Sequence, residues 1–219
     1  KSKSSKGAYI LRLRFWNQAD APIHLGTADH QDNLHTYAVP FSDDRYIWGP
    51  AVNQLHLDDY LTDTIMYGNR YDTLAFRLMA NFAMGLLAMD FPDADTKVIS
   101  VNVVAGMPTE DYRSPEAVEA FLNTLKGQHQ VTIDNQVLTV RVRKVDLLPQ
   151  PIGTLYNELL DKSGYIKDED LLEEKVGIVD IGGGTILIDS ILNFQLSGKN
   201  RKQYNTGVND LYEQISSAI

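Results

Sequence analysis

Apolar and polar residues alternate in several short stretches near the start of the chain. Residues 8–16 (AYILRLRFW) follow the two-residue period of a half-buried strand. Residues 22–26, 34–41 and 45–49 are further short apolar stretches divided by turn residues. The pattern therefore predicts a set of short strands in this part of the chain.

The first strong helical pattern covers residues 72–91. Asp72 is predicted to cap its N-terminus. Because the segment is apolar on nearly every side, we expect the helix to be well buried. Apolar residues recur at helical spacing, at Leu74, Leu78, Phe82, Leu86 and Met89.

A strand and a second helix follow. Residues 97–108 are rich in Val and Ile and predict a strand. Ser114 is a typical N-cap, Pro115 suits the first helical position and Gly127 suits a left-handed C-terminal turn. We therefore expect a helix over residues 114–127.

The next segment predicts a hairpin that turns at Asp134 and Asn135. Its second strand is expected to end in a loop at residues 149–151, where two prolines stand, and a helix is expected at residues 152–162. Strands and helices thus alternate along the chain, which is typical of the α/β class.

The composition is that of an ordinary globular protein with an acidic charge balance. The 219 residues carry a formal net charge of −9, and 43% of them are hydrophobic. The lack of cysteine excludes disulfides and thiolate metal sites. No apolar run reaches the roughly 20 residues of a membrane helix, so we expect a cytoplasmic protein. The acidic excess also disfavours direct binding to nucleic-acid phosphates.

Most other candidate chemistry is weak. The five histidines are scattered without the spacing of metal ligands. No Ser/His/Asp set has a local signature of nucleophilic catalysis. The acidic residues 167–174 predict a solvated surface rather than a site.

The most specific motif is VGIVDIGGGTILIDS, at residues 176–190. An apolar strand ends at Asp180, and three glycines follow before a second apolar strand. Glycines let backbone N–H groups approach an anion such as phosphate, and the Thr185 hydroxyl donates one more hydrogen bond. Phosphates would repel Asp180 unless a divalent cation lay between them, so the motif predicts Mg²⁺ held through water. The alternative is a simple glycine-rich hairpin with Asp180 as a turn residue.

The stretch VDIGGGT resembles the second phosphate-binding hairpin of the superfamily of actin, heat-shock chaperones and sugar kinases. The wider sequence resembles the plasmid-segregation actins of the ParM/StbA family, in particular those of Gram-positive plasmids. The resemblance extends from about Tyr67 onward. Five stretches match in the family's order: NRYDTLAFRLMANFAMGLLAMDFPD, VNVVAGMP, LLPQPIGTLY, VGIVDIGGGTILID and NTGVNDLYEQI.

The resemblance implies roles for residues of the glycine hairpin. Asp180 matches the aspartate that organises Mg²⁺ on the β- and γ-phosphates of ATP. The residues that match the phosphate-wrapping turn are Gly182, Gly183, Gly184 and Thr185.

Two more residues receive roles from the resemblance. Gln150 matches the residue that orients the attacking water, at the helix that links the two domains. Its alternative is a polar residue in a proline-bounded loop. Gly207 matches a turn close to the nucleotide, and its alternative is a glycine that precedes a helix. For residues 106–108 the better interpretation is a structural strand end.

The resemblance implies an α/β protein with the RNase H-like actin fold. Residues 1–160 are expected to form actin-like domain I, with a smaller variable subdomain at roughly residues 8–70. Residues 161–175 would connect the domains, and residues 176–219 would start domain II. No segment before Tyr67 matches the family's first phosphate hairpin, and the Gly-Gly-Gly-Ala-type segment that holds adenosine is lacking. We therefore expect most of domain I and the start of domain II.

The resemblance also implies a function. The protein would be an ATPase that forms filaments to segregate plasmid DNA, with ATP and Mg²⁺ as cofactors. Its partners would be further copies of itself and a DNA-binding adaptor of the ParR type. One alternative is a non-catalytic actin-like scaffold or assembly module. Another is a small-molecule kinase of the same fold, although LLPQPIGT lacks the carboxylate base that a kinase would use on a sugar hydroxyl.

Overall fold

A computed structural model describes residues 14–17, 34–49, 61–63, 70–198 and 201–218 of the chain. The strand predicted at residues 22–26 and most of the strand predicted at residues 8–16 lie outside the described residues.

The chain divides into two compact units. The first consists of Lys1–Val104 and Ser114–Asp146, and the second of Ala105–Arg113 and Leu147–Ile219. The domain boundaries expected from the sequence, near residues 160 and 176, stay a prediction.

In the described part of the chain, seven strands form one sheet in the order β4-β1-β3-β2-β6-β7-β5. The first unit adds two helices, α1 (Leu74–Ala88) and α3 (Pro115–Leu125). The strands are β1 (Arg14–Asn17), β2 (His35–Ala38), β3 (Arg45–Trp48), β4 (Leu61–Asp63), β5 (Ile99–Met107), β6 (Gly127–Ile133) and β7 (Gln136–Pro149).

Phe82 of α1 lies at the centre of the core of the first unit and is fully buried. Its ring centroid lies 4.6 Å from that of Tyr37 and 5.6 Å from that of Phe15. Tyr46 and Trp48 contact the same ring. The strands of this unit are thus held on α1 by aromatic packing, which buries more area per residue than aliphatic contacts do.

The start of α1 differs from the prediction. Thr73, not Asp72, is the N-cap: its hydroxyl accepts a hydrogen bond from the N–H of Phe76 at 3.2 Å. Asp72 belongs to a short 3-10 helix, Arg70–Asp72, that precedes α1. The helix is well buried through its middle, as expected, but Leu74 in its first turn is 57% exposed.

The predictions for α3 and the hairpin are confirmed. The Ser114 hydroxyl accepts from the N–H of Ala117, as an N-cap does, and Gly127 has a φ of 105°. The turn between β6 and β7 lies at Asp134 and Asn135, whose φ values are 47° and 74°. Two consecutive positive φ values are the geometry of a tight hairpin turn.

The second unit is built on a second, smaller sheet. β9 (Ile186–Leu192) pairs with β8 (Lys175–Ile181) along one edge. The other edge of β9 pairs near its start with β11 (Lys202–Tyr204) and near its end with β10 (Gln195–Leu196).

Three helices belong to this unit: α2 (Thr109–Tyr112), α4 (Gln150–Leu159) and α5 (Val208–Ala218). The loop predicted at residues 149–151 is wrong, because β7 runs to Pro149 and α4 begins at the next residue. Pro149 is the extended N-cap and Pro151 lies in the first turn, where a helix needs no N–H donor. No helix in the described part of the chain is long and apolar enough to cross a membrane.

Candidate functional site

Helix α4 packs on one face of the β8–β9 hairpin. Because side chains alternate along a strand, Ile178 and Asp180 of β8 share this face with their partners Asp189 and Leu187 on β9. The contact is an apolar cluster in which α4 contributes Ile152 and Leu155, and the hairpin contributes Val176, Ile178 and Ile191. The packing fixes the N-terminus of α4 over the glycine end of the hairpin.

A cavity of about 40 Å³ lies at this end of the helix. Gln150, the first residue of α4, and Asp180, near the end of β8, both line it. The structure therefore brings together the two residues to which the resemblance assigns a catalytic role. The other polar residues around the cavity are Thr109, Thr154 and Asp189.

The glycine turn that joins β8 to β9 is closed by a hydrogen bond from the N–H of Gly182 to the carbonyl oxygen of Thr185, at 2.8 Å. Its glycines do not have positive φ values, so left-handed backbone is not the reason for them. The N–H groups of Gly183, Gly184 and Thr185 have no acceptor among the described residues. Consecutive free N–H groups in a turn are a suitable binding site for phosphate oxygens.

The turn before α5 packs directly on this glycine turn. The N–H of Val208 donates to the carbonyl oxygen of Gly182 at 3.0 Å, and that of Asn209 donates to Gly183 at 2.9 Å. A Cβ on Gly207 would lie 2.4 Å from the Gly183 oxygen and 2.5 Å from the Gly182 oxygen. Only glycine allows so close an approach. Gly207 is thus placed beside the predicted phosphate turn.

One buried charge pair in this unit was not predicted from the sequence. The Asp189 carboxylate is buried, and its Oδ1 lies 3.3 Å from Nε of Arg201. The Arg201 guanidinium also pairs with Glu110 of α2. Burial raises the pKa of Asp189 above its ordinary value, and the negative charge of Asp180 adds to the rise. The positive charge of Arg113 and a hydrogen bond from the Thr109 hydroxyl oppose it. Burial lowers the pKa of Arg201.

A sequence signal for Asp189 did exist. Asp189 lies in the apolar strand ILIDSIL, two residues from Leu187 and two from Ile191. Alternate residues of a strand share one face, so Asp189 is expected to be buried together with them. Such a carboxylate needs a cationic partner. Nothing in the local sequence identifies Arg201 as that partner, because the contact depends on the pairing of β9 with β11.

The residues of this site fit a nucleoside triphosphate with Mg²⁺. Free N–H groups of the glycine turn suit phosphate oxygens, and the exposed carboxylate of Asp180 is the oxygen ligand that Mg²⁺ prefers. Gln150 supplies an uncharged group that both donates and accepts hydrogen bonds.

The fold and these residues define an actin-like protein. Residues 17–153 match the family described as "Actin like proteins N terminal domain". The chain therefore belongs to the actin-like protein family, and its fold is the α/β actin-like fold expected from the sequence. No curated protein sequence matches it.

Solved structures of actin-like proteins share the fold. The crystal structure of the apo psk41 ParM protein is 25% identical with a TM-score of 0.74; the match covers 94% of this chain and 62% of that one. The Alp12 filament structure is 18% identical with a TM-score of 0.65, covering 95% of this chain and 56% of that one. Ta0583, an archaeal actin homolog in complex with ADP, is 14% identical with a TM-score of 0.62, covering 94% of this chain and 57% of that one. The chain thus spans about 60% of the length of these relatives.

Proposed function

We propose that the complete protein is an ATPase that assembles into filaments and segregates plasmid DNA. The observation that carries this proposal is the cavity shared by Gln150 and Asp180, beside a glycine turn with free N–H groups. The similarity to a ParM protein at 25% identity supports the same class of function.

In this proposal each residue of the site has one task. The N–H groups of the glycine turn, residues 182–185, bind the phosphates, and Gly207 keeps the turn before α5 close to them. Asp180 would hold Mg²⁺ through water, and the cation would supply positive charge that offsets the charge of the phosphates. Gln150 orients the attacking water, since its amide both accepts from a water and donates to it.

Hydrolysis forms a bond from the water oxygen to the γ-phosphorus and breaks the bond from that phosphorus to the bridging oxygen, which leaves with ADP. The protein contributes position and charge stabilisation rather than a covalent intermediate. Neither positioning nor charge stabilisation needs a carboxylate base beside Gln150.

The same resemblance supports filament formation. The Alp12 relative is itself described as a filament, and the fold is shared along nearly the whole of this chain. Co-sedimentation of the complete protein with ATP, with ADP and without nucleotide tests this part of the proposal. We expect pelleted polymer with ATP and Mg²⁺, whereas a protein that stays in the supernatant under all three conditions would contradict it.

We further propose that the filament reaches plasmid DNA through a basic DNA-binding adaptor of the ParR type. The chain carries 29 acidic and 20 basic residues, and phosphate contacts need a basic surface. In a fluorescence anisotropy titration at physiological salt, the purified protein should leave labelled DNA unbound. Salt-sensitive micromolar binding without any adaptor would overturn this part.

A further inference from the structure

We infer that Gly106 is a positioning residue for Gln150, because its missing side chain leaves the room that the Gln150 side chain occupies. Gly106 belongs to residues 106–108, which sequence reasoning interprets only as the end of a strand. The inference rests on the proposed ATPase function and gives this segment a task at the site. Both residues belong to the second unit.

Gly106 stands at a position where a strand favours another residue. It lies inside β5, one residue before the end of the strand at Met107. Glycine weakens a strand, because its backbone loses more freedom on folding and it has no side chain to pack. The φ of Gly106 is outside the left-handed region, so the backbone conformation does not require glycine. The reason for glycine must therefore lie in its neighbours.

The nearest neighbour is the side chain of Gln150. β5 lies next to β7 in the sheet, and α4 begins directly after β7, so Gly106 is set beside the first residue of α4. A Cβ on Gly106 would lie 3.3 Å from Cγ of Gln150, closer than carbon atoms normally pack. The Cα of Gln150 and the carbonyl oxygen of Leu148 would lie at ordinary contact distances, 3.8 and 3.9 Å. Of these three atoms, only the Gln150 Cγ would have to move.

Packing is what sets the position of the Gln150 amide. Across the ranges that the structure describes, no hydrogen bond holds this side chain. Gln150 is exposed, so it could move aside at little cost in stability. Its Cγ carries the amide, however, and the residue lines the cavity that it shares with Asp180. Because catalytic groups must be held within about 0.5 Å of the productive geometry, a displaced Cγ would misplace the water that Gln150 orients.

The test makes Gly106→Ala in the complete protein, alone and together with Gln150→Ala. For Gly106→Ala alone we expect kcat for ATP hydrolysis to fall by about tenfold, because the Gln150 amide is displaced. The Kd of a non-hydrolysable ATP analogue should stay close to that of the wild type. Gln150→Ala removes Cγ, so adding Gly106→Ala to it should lower kcat no further.

The matched control is Gly177→Ala in β8, a strand glycine where a Cβ meets nothing within 4 Å. It should keep the wild-type kcat. Crystal structures add a readout that does not depend on activity. In Gly106→Ala the Gln150 side chain should leave the position that it holds in the wild type, and in Gly177→Ala it should stay there.

The inference is overturned if Gln150 is unmoved in the Gly106→Ala crystals, if Gly106→Ala hydrolyses ATP like the wild type, or if it lowers kcat equally with and without the Gln150 side chain. Loss of analogue binding in step with turnover would also overturn it, since Gly106 would then make room for the nucleotide. A wild type that hydrolyses no ATP would instead overturn the proposed function, and the crystal structures would still test the contact between Gly106 and Gln150.

Discussion

Asp180 and Asp189 lie on the same face of the β8–β9 hairpin, but Asp180 is exposed and Asp189 is buried. The register of the hairpin sets Asp180 opposite Leu187 and Asp189 opposite Ile178. Asp189 is paired with Arg201, whereas the Asp180 carboxylate has no hydrogen-bond or ion-pair partner among the described residues. The two carboxylates therefore differ in their surroundings. Asp189 is held in a buried ion pair, and Asp180 is free to bind a cation.

Replacing Gln150 with Ala should slow ATP hydrolysis by about 100-fold and leave nucleotide binding largely intact, because a group that orients water acts mainly in the transition state. Single-turnover kinetics and the Kd of an ATP analogue measure the two effects separately. If binding fell in step with turnover, Gln150 would be a structural residue at the start of α4.

Gly207→Ala should lower the free energy of unfolding by about 1–3 kcal/mol, because the new methyl group would overlap the carbonyl oxygens of the glycine turn. The matched control is Gly153→Ala in α4, where a Cβ meets nothing within 4 Å. That change should raise the free energy of unfolding by about 0.5–1 kcal/mol. Urea denaturation of both variants provides the comparison, and equal effects would mean that the turn before α5 does not pack on the glycine turn.

The buried pair of Asp189 and Arg201 should be strongly coupled. Arg201→Met removes the ion-pair partner of the buried Asp189 carboxylate, which keeps only the charge of Arg113, and should cost about 1–3 kcal/mol of stability. Adding Asp189→Asn to Arg201→Met should recover a large part of that loss, since the unpaired charge is removed. A double-mutant cycle by chemical denaturation checks this expectation. If the effects of the two substitutions on the free energy of unfolding simply added, the pair would not be formed.

The same carboxylate should give stability a pH dependence. The pKa of Asp189 is raised above 3.8, mainly by burial, so between 3.8 and its raised value the folded state binds more protons than the unfolded state. The free energy of unfolding should therefore fall as pH rises through this window. Asp189→Asn should lack this contribution. Denaturation midpoints measured across the acidic range would contradict the account if the two proteins showed the same pH slope.

Features of the fold that depend on local sequence could be predicted best. The Ser114 cap and the Asp134–Asn135 turn depend on residues close together in the chain, and both were predicted correctly. The loop predicted at residues 149–151 is wrong, because prolines suit the boundary of a strand and a helix as well as they suit a loop.

The candidate site shows the same limit. Asp180 and the glycine turn were visible as a motif, and the resemblance added Gln150. Thr109 and Arg201 were not foreseen, because no local signal marks them: Thr109 lies far from Asp189 in sequence, and Arg201 meets Asp189 only because β11 pairs with β9.

We propose that the glycine turn and Asp180 bind the phosphates and Mg²⁺ of ATP. Mg²⁺-dependent ATP turnover of the complete protein carrying Asp180→Ala tests it most directly, with Asp95→Ala, an exposed aspartate of the first unit, as the matched control. We expect Asp180→Ala to abolish turnover and Asp95→Ala to keep the wild-type rate. Wild-type turnover by the Asp180→Ala protein would contradict it.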